Sequence, residues 1–356
     1  MTDTPITVAV DAMSGDHGHT VAVESALSFL RDYQDVKLIL VGDEAALRSA
    51  LGRSIPPQIE IQPASEVVAM DELPSRALRT KKDSSMRVAI NLVKDGRAQA
   101  CVSAGNTGAL MGIAKFVLKT LPGIDRPAML SPMPTLKGHT HMLDLGANAV
   151  CTAEQLFQFA VMGSVLVSAV NGLSKPSVGL LNIGSEEIKG VESIRQAASL
   201  IQQADLNYAG FIEGDEIFTG AVDVVVCDGF AGNVALKTSE GVAKLVRQFM
   251  KEEFTRNMFT KLSAIAARPV LQAFADRIDP RRYNGASFLG LRGVVIKSHG
   301  GADVLAFANA IRVARLEVQK AVPMRISTLL ASTLGESATA DPMQETGRWM
   351  AAGGES

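Results

Sequence analysis

Six times in this chain a short apolar run ends in a loop of Gly, Asn, Asp or Ser, and a helix-like segment follows. The runs and loops are ITVAV-DAMSGDHG from Ile6, ACV-SAGNTGA from Ala100, HML-DLGAN from His141, VGLLN-IGSEEIKG from Val178, VDVVVC-DGFAGN from Val222 and VVIK-SHGGAD from Val294. A parallel strand covered by helices on both faces reads as a continuous Val/Ile/Leu run. Strand and helix alternating at this spacing predict βαβ units and a mostly parallel sheet. In such sheets ligands bind beyond the carboxyl ends of the strands. Six glycine-rich loops at those ends therefore predict one shared pocket, rich in backbone N–H donors at helix N-termini. That chemistry suits an anion, phosphate first.

The expected fold class is α/β, a three-layer doubly wound sheet. Apolar runs at 6–10, 36–41, 100–102, 142–145, 178–182, 222–227 and 294–297 read as strands. Helical patterns fall near 20–32, 44–51, 85–95, 107–120, 151–170, 190–203, 232–252 and 302–320. One α/β domain over residues 1–337 is expected, and 338–356 reads as a flexible tail that loses periodicity and gains Gly, Ser and Pro.

Lys and Arg number 35 against 37 Asp and Glu. This balance argues against a nucleic-acid coat and leaves room for local basic patches. The first residues lack a charged region followed by a long apolar stretch, so no signal peptide is expected. No window approaches twenty uninterrupted apolar residues. Cys101, Cys151 and Cys227 form no CxxC pair. Cys101 and Cys227 read as small core residues, and Cys151 opens a helix.

From Phe254 to Ile278 the pattern changes. Two amphipathic pieces meet at Pro269, and proline ends or kinks a helix. The first carries Phe254, Met258, Leu262 and Ile265 at i, i+4, i+8 and i+11. A helical hairpin near 254–278 is predicted, with six basic residues in or beside it. It can rest on an anionic membrane surface, or pack on a partner subunit with its basic residues solvated.

Each loop offers candidate groups. Asp11, Gly15, Asp16 and His17 leave the first strand directly, and Asp16 can cap the next helix. Ser103, Asn106 and Thr107 can cap the helix at 107–120 while its free N–H groups hold an anion or oxyanion. Asp144 and Asn148 repeat the device. Lys189 stands near a helix start, where a cation opposes the dipole and a bound anion would relieve it. Asp228 ends the most apolar strand, Asn233 follows, and Lys237 lies one turn further on the same face. His299 closes the series. Arg79, Lys81 and Lys82 belong to a basic cluster, either a solvated loop or a dock for an acidic partner; Asp83 reads as the cap of the helix beyond it. The Walker G-x-x-x-x-G-K-[ST], the dinucleotide G-x-G-x-x-G and the G-x-S-x-G elbow are all missing. His139 and His141 find no third ligand nearby in sequence, so no metal is expected.

With these loops in hand, the chain closely resembles the bacterial phosphate acyltransferase (PlsX) family. The resemblance rests on VDAMSGDHG, LRTKKDSSMRVAINLVKDG, VSAGNTGALMG, LPGIDRPA, LDLGAN, LLNIGSEEIKG, FIEGDEI, VVVCDGFAGNVALKTSEG, YNGASFLGLRG and KSHGGAD. They run in order from about residue 6 to 310. The family usually has a second Gly where Ser14 stands, a Glu where Ser185 stands and a Pro where His19 stands. The resemblance implies a fold similar to phosphotransacetylases and isocitrate-type dehydrogenases. It implies attack of inorganic phosphate on the thioester of a long-chain acyl group carried by acyl carrier protein, giving acyl-phosphate for a membrane glycerol-phosphate acyltransferase. It further implies a cytoplasmic homodimer, peripherally membrane-associated and needing no cofactor. Phosphate is itself the nucleophile, so the protein has to position a dianion and stabilise an oxyanion. Lys189 and the loops suit the first task, Asn233 the second. Acyl carrier protein is acidic, which gives the basic cluster a partner.

Overall fold

The computed structural model describes residues 5–277 and 279–333; the tail expected at 338–356 lies outside the described residues. The first half of the chain holds β1 (Ile6–Asp11), α1 (Gly18–Asp32), β2 (Val36–Gly42), α2 (Glu44–Leu51), β3 (Ile59–Pro63), α3 (Pro74–Thr80), α4 (Ser85–Lys94), β4 (Ala100–Ser103) and α5 (Thr107–Leu118). Then come β5 (Ala128–Thr135), β6 (Gly138–Leu143), α6 (Ala153–Asn171), β7 (Ser177–Leu181), α7 (Glu192–Gln203), β8 (Asn207–Ile212), β9 (Val224–Val226) and α8 (Gly229–Thr255). The last elements are α9 (Met258–Ala266), α10 (Arg268–Arg277), β10 (Ala286–Leu289), β11 (Val294–Lys297), α11 (Val304–Gln319) and α12 (Val322–Thr333).

All eleven strands form one sheet in the order β3-β2-β1-β4-β11-β10-β5-β6-β9-β7-β8. Two blocks are internally parallel, β3-β2-β1-β4-β11 and β6-β9-β7-β8. Between them the pairs β11–β10, β10–β5 and β5–β6 are antiparallel. Three reversals leave the two blocks running in opposite directions. Alternate side chains leave a strand on opposite faces. On one face Ala9, Cys101, Val295, Phe288, Met142 and Val225 join a core shared with α4, α5 and the first turns of α8. On the other face α1, α2 and α11 cover the first block, and α6, α7 and α12 cover the second. The result is helix, sheet and helix, the three-layer α/β architecture expected.

Within this frame α6 is long and apolar enough to cross a membrane, but 78% of it is buried in the protein core.

Some boundaries depart from expectation. Ser84, not Asp83, caps α4, its hydroxyl accepting from Arg87 N at 3.3 Å; Asp83 instead receives the N–H and hydroxyl of Ser65. The residue before α1 is His17, with no side-chain cap, so Asp16 does not play that part. Phe254 lies in the last turn of α8 rather than opening the hairpin, because Asn257 starts a new helix with a capping box to Thr260. The hairpin itself is α9 and α10, which meet just before Pro269 as expected.

Candidate active site

In the first block, three chemically active residues stand in one row across adjacent strands. Asp11 ends β1 and pairs in register with Ser103 at the end of β4, which pairs with Lys297 at the end of β11. All three are buried. Ser103 Oγ donates to Asp11 Oδ2 at 2.6 Å, accepts from Gly105 N at 3.1 Å and lies 3.2 Å from Ser14 Oγ. Burial raises the Asp11 carboxyl above its ordinary value against the pull of these hydroxyls. Its Oδ1 has no hydrogen-bond partner. Lys297 Nζ donates to the carbonyl oxygens of Ala104 and Ser298. Burial presses its pKa down to about 8, with Asp11 and Asp16 opposing the fall.

The loops around this row are tight. Gly15 has φ +85°, and a Cβ there would meet Gly300 O at 2.9 Å, so the close approach requires glycine. Asp16 N donates to Gly300 O at 2.9 Å, and its carboxylate lies against Gly300 and Gly301 while the residue stays exposed, as does His17. His299 N donates to Asn284 Oδ1, its Nδ1 accepts from Gly301 N, and partial burial together with Lys237 lowers its pKa. Asn106 caps α5 through Ala109 N, and its amide donates to Met70 O and Glu72 O. It therefore ties down the 70–72 loop. Thr107 is the first residue of α5.

The second block builds its own group. Asp144 accepts from Met129 N, Ala147 N, Asn148 N and the Asn148 amide. Asn148 also donates to Pro127 O at 2.9 Å. These two residues shape their loop and have little capacity left for a ligand. Asp228 caps α8 through Ala231 N at 2.8 Å. A Cβ on Gly232 would overlap the carbonyl oxygen of Asp144, so α8 starts hard against the β6 loop. Asn233 comes next, exposed and packed against Gly146. Lys189 lies on the loop after β7, exposed, with Nζ 3.8 Å from Glu186. Asn182 donates to Lys189 O and holds that loop.

The six loops thus fall into two groups of three on opposed strand ends, not one ring. The antiparallel strands β10 and β5 reverse the sheet direction between the groups. Helix α8 reconnects them. It leaves the second group at Asp228, and two turns later Lys237, paired with Glu240 at 3.0 Å, acts electrostatically on both Lys297 and His299. Asn233 and Lys237 are one turn apart, roughly 6 Å along the axis. Among the described residues nothing links Lys189 directly to either.

All three cysteine thiols are buried. Cys151 is pushed up to about 12, and Cys101 and Cys227 are raised well above the ordinary thiol value, chiefly by desolvation. No group of three metal-ligating side chains occurs among the described residues. In the basic cluster Arg79 and Lys82 are exposed, whereas Lys81 is half-buried and paired with Glu66 at 3.8 Å. Beside them Arg87 and Lys119 both lie over the exposed Phe116 ring, 5.3 and 5.0 Å from its centre. Lys297 and this sandwich escaped sequence reasoning. Lys297 read as the last residue of a strand, and Lys119 meets Arg87 only through the fold.

The family profile described as "Fatty acid synthesis protein" matches residues 6–325. A phosphate acyltransferase of Nitrosococcus oceani is 60% identical over 334 residues, covering 93% of this chain and 98% of that protein. The phosphate acyltransferase of Methylococcus capsulatus is 61% identical over 323 residues, covering 90% and 95%. Among solved structures, a phosphotransacetylase from Streptococcus pyogenes aligns with TM-score 0.60 at 16% identity, over 89% of this chain and 94% of that one. A branched-chain phosphotransacylase from Enterococcus faecalis aligns with TM-score 0.53 at 14% identity, over 88% and 99%. The distant structures share the fold; the close relatives share the sequence almost end to end, and by them this chain belongs to the phosphate acyltransferases, the acyl-transferring enzymes of the fatty acid synthesis protein family.

Proposed function

We propose that the protein moves a long-chain acyl group from acyl carrier protein to inorganic phosphate, releasing acyl-phosphate and the carrier thiol. The observation that carries this reading is the gathering of Asn233, Lys237, His299 and Lys297 around the first turns of α8, beside thiols that are buried and hard to ionise. Cations and amide donors of this kind orient a phosphate oxygen and stabilise a thioester oxyanion without a protein-bound intermediate. Lys189 is placed on the phosphate and Asn233 on the developing oxyanion. Asp16 and His17, exposed on the loop after β1, can orient phosphate or carry a proton.

The Arg79–Lys82 cluster suits the acidic carrier. The outer half of α8 and the hairpin need a covering surface. From Gly241 to Phe249 every residue is exposed, and neither α9 nor α10 buries a residue. A second copy of the chain along α8 supports a homodimer. An anionic membrane under Met258, Leu262 and Ile265 supports peripheral attachment and delivery to a membrane glycerol-phosphate acyltransferase.

Purified protein given phosphate and long-chain acyl carrier protein is expected to yield acyl-phosphate, trapped as hydroxamate, with one free thiol per acyl group. Faster turnover with acetyl-coenzyme A would favour a short-chain phosphotransacetylase. Carrier binding with no phosphate-dependent product would leave a membrane-surface scaffold.

A further inference from the structure

Lys297 is 8% exposed at the end of β11, and among the described residues no carboxylate lies within ion-pair distance of it. Two of its three ammonium protons go to the backbone carbonyls of Ala104 and Ser298. The third has no acceptor. A buried cation without a direct ion pair, its nearest carboxylates Asp11 and Asp16 acting only at a distance, is costly, and an anion entering beside it reduces the cost. Its neighbours in the row match an oxyacid. Ser103 already donates to Asp11 Oδ2, while Asp11 Oδ1 is buried with no hydrogen bond completed, although the Ser85 hydroxyl and the Met13 N–H also act on this carboxyl. Inorganic phosphate near neutrality offers both halves, anionic oxygens for the ammonium and a P–OH for the carboxyl.

We infer that Lys297 is the cation that seats the attacking phosphate, with Asp11 receiving its P–OH. This rests on the phosphate acyltransferase reading and gives phosphate its seat in the Asp11–Ser103–Lys297 row, with Lys189 left to act on the charge that develops during transfer. In the step itself a phosphate oxygen bonds to the thioester carbonyl carbon. The C–S bond breaks with its electron pair on sulfur, and the proton that phosphate carried ends on the thiol. Lys237, from α8, adds positive charge above the row, His299 on the β11 loop is held towards its neutral form, and Asp11 and Asp16 act on Lys297 from β1 and its loop.

The test is phosphate binding by calorimetry, and phosphate KM, for Lys297→Met and Lys297→Arg. Losing one charge-assisted contact should weaken phosphate binding roughly 10- to 100-fold in Lys297→Met. The KM for the acyl donor should stay within about twofold of the parent, since this lysine touches phosphate alone. In the parent, phosphate affinity should fall as pH rises through about 8, where Lys297 loses its proton. Arginine stays charged, so Lys297→Arg should lose that fall even if its affinity is lower. A lysine that only straps Ala104 to Ser298 would not move the pH profile. Phosphate binding within about twofold of the parent in folded Lys297→Met overturns the inference, as does an unchanged pH profile in Lys297→Arg. If Lys297→Met does not fold, the arginine profile decides. A parent that binds phosphate yet makes no acyl-phosphate overturns the underlying reading and leaves the seat itself intact.

Discussion

Asn233 and Lys189 differ from the other polar groups in what they have left to give. Asp144, Asn148, Asn106 and Ser103 spend their hydrogen-bonding capacity on their own loops. The Asn233 side chain is exposed beside Gly146, and the Lys189 ammonium has only a loose contact with Glu186. Removing a preorganised donor that acts on developing charge costs about a hundredfold in turnover. Asn233→Ala and Lys189→Ala should each lose at least that in kcat, with unchanged circular dichroism. Near-parent rates in both would move the chemistry to the Lys297 row. Asp144→Asn should act differently, lowering the melting temperature first, because four donors converge on that carboxylate.

At the scale of elements, the hairpin and the basic cluster make separable claims. Replacing Leu262 and Ile265 with Glu should release the protein from anionic vesicles in a flotation assay while turnover on soluble substrate survives. Retention on vesicles would assign the stripe to a protein contact. Changing Arg79, Lys81 and Lys82 to Ala should raise the carrier-protein KM and flatten its dependence on salt, since exposed charge steers encounter. Lys81 should contribute least, being held by Glu66. Sequence alone revealed the long apolar strands and their helices to within a few residues, because burial on both faces leaves a continuous signal. It missed β3, β5, β8 and β10. β3 and β8 are edge strands of mixed polarity, and β10 has four residues. β5 carries Pro132 and Pro134, which read as a loop; they are tolerated because β10 pairs only with residues 128–130, leaving the rest of β5 one neighbour. Missing β5 and β10 also hid the sheet's reversal, and with it the division of the six loops. The candidate site residues were legible as polar groups on those loops. Which of them remained free was a tertiary matter.

For the whole molecule, Glu317 couples stability to pH. It is buried on α11 against β10, accepting from Ser287 Oγ, and desolvation lifts its pKa to about 7. A carboxyl raised in the folded state favours folding below its unfolded value near 4.5 and loses that advantage as pH rises through about 7. The difference corresponds to about 3 kcal/mol. The urea midpoint of the parent should therefore fall as pH rises between those two values, and Glu317→Gln should flatten that slope. An identical slope in both proteins would place the titration elsewhere.

Helix α8 has a last consequence. Its inner turns carry Asn233 and Lys237, and the same unbroken rod runs outward for 27 residues in all, exposed at every residue from Gly241 to Phe249. A segment that exposed gains its order from whatever it leans on. In the homodimer proposed above, thermodynamic reciprocity would join the two ends: if a second copy that orders the outer half tightens phosphate at the base, phosphate at the base tightens the pair. Specific activity should fall on dilution past the point of dissociation, and saturating phosphate should push that point to lower protein concentration.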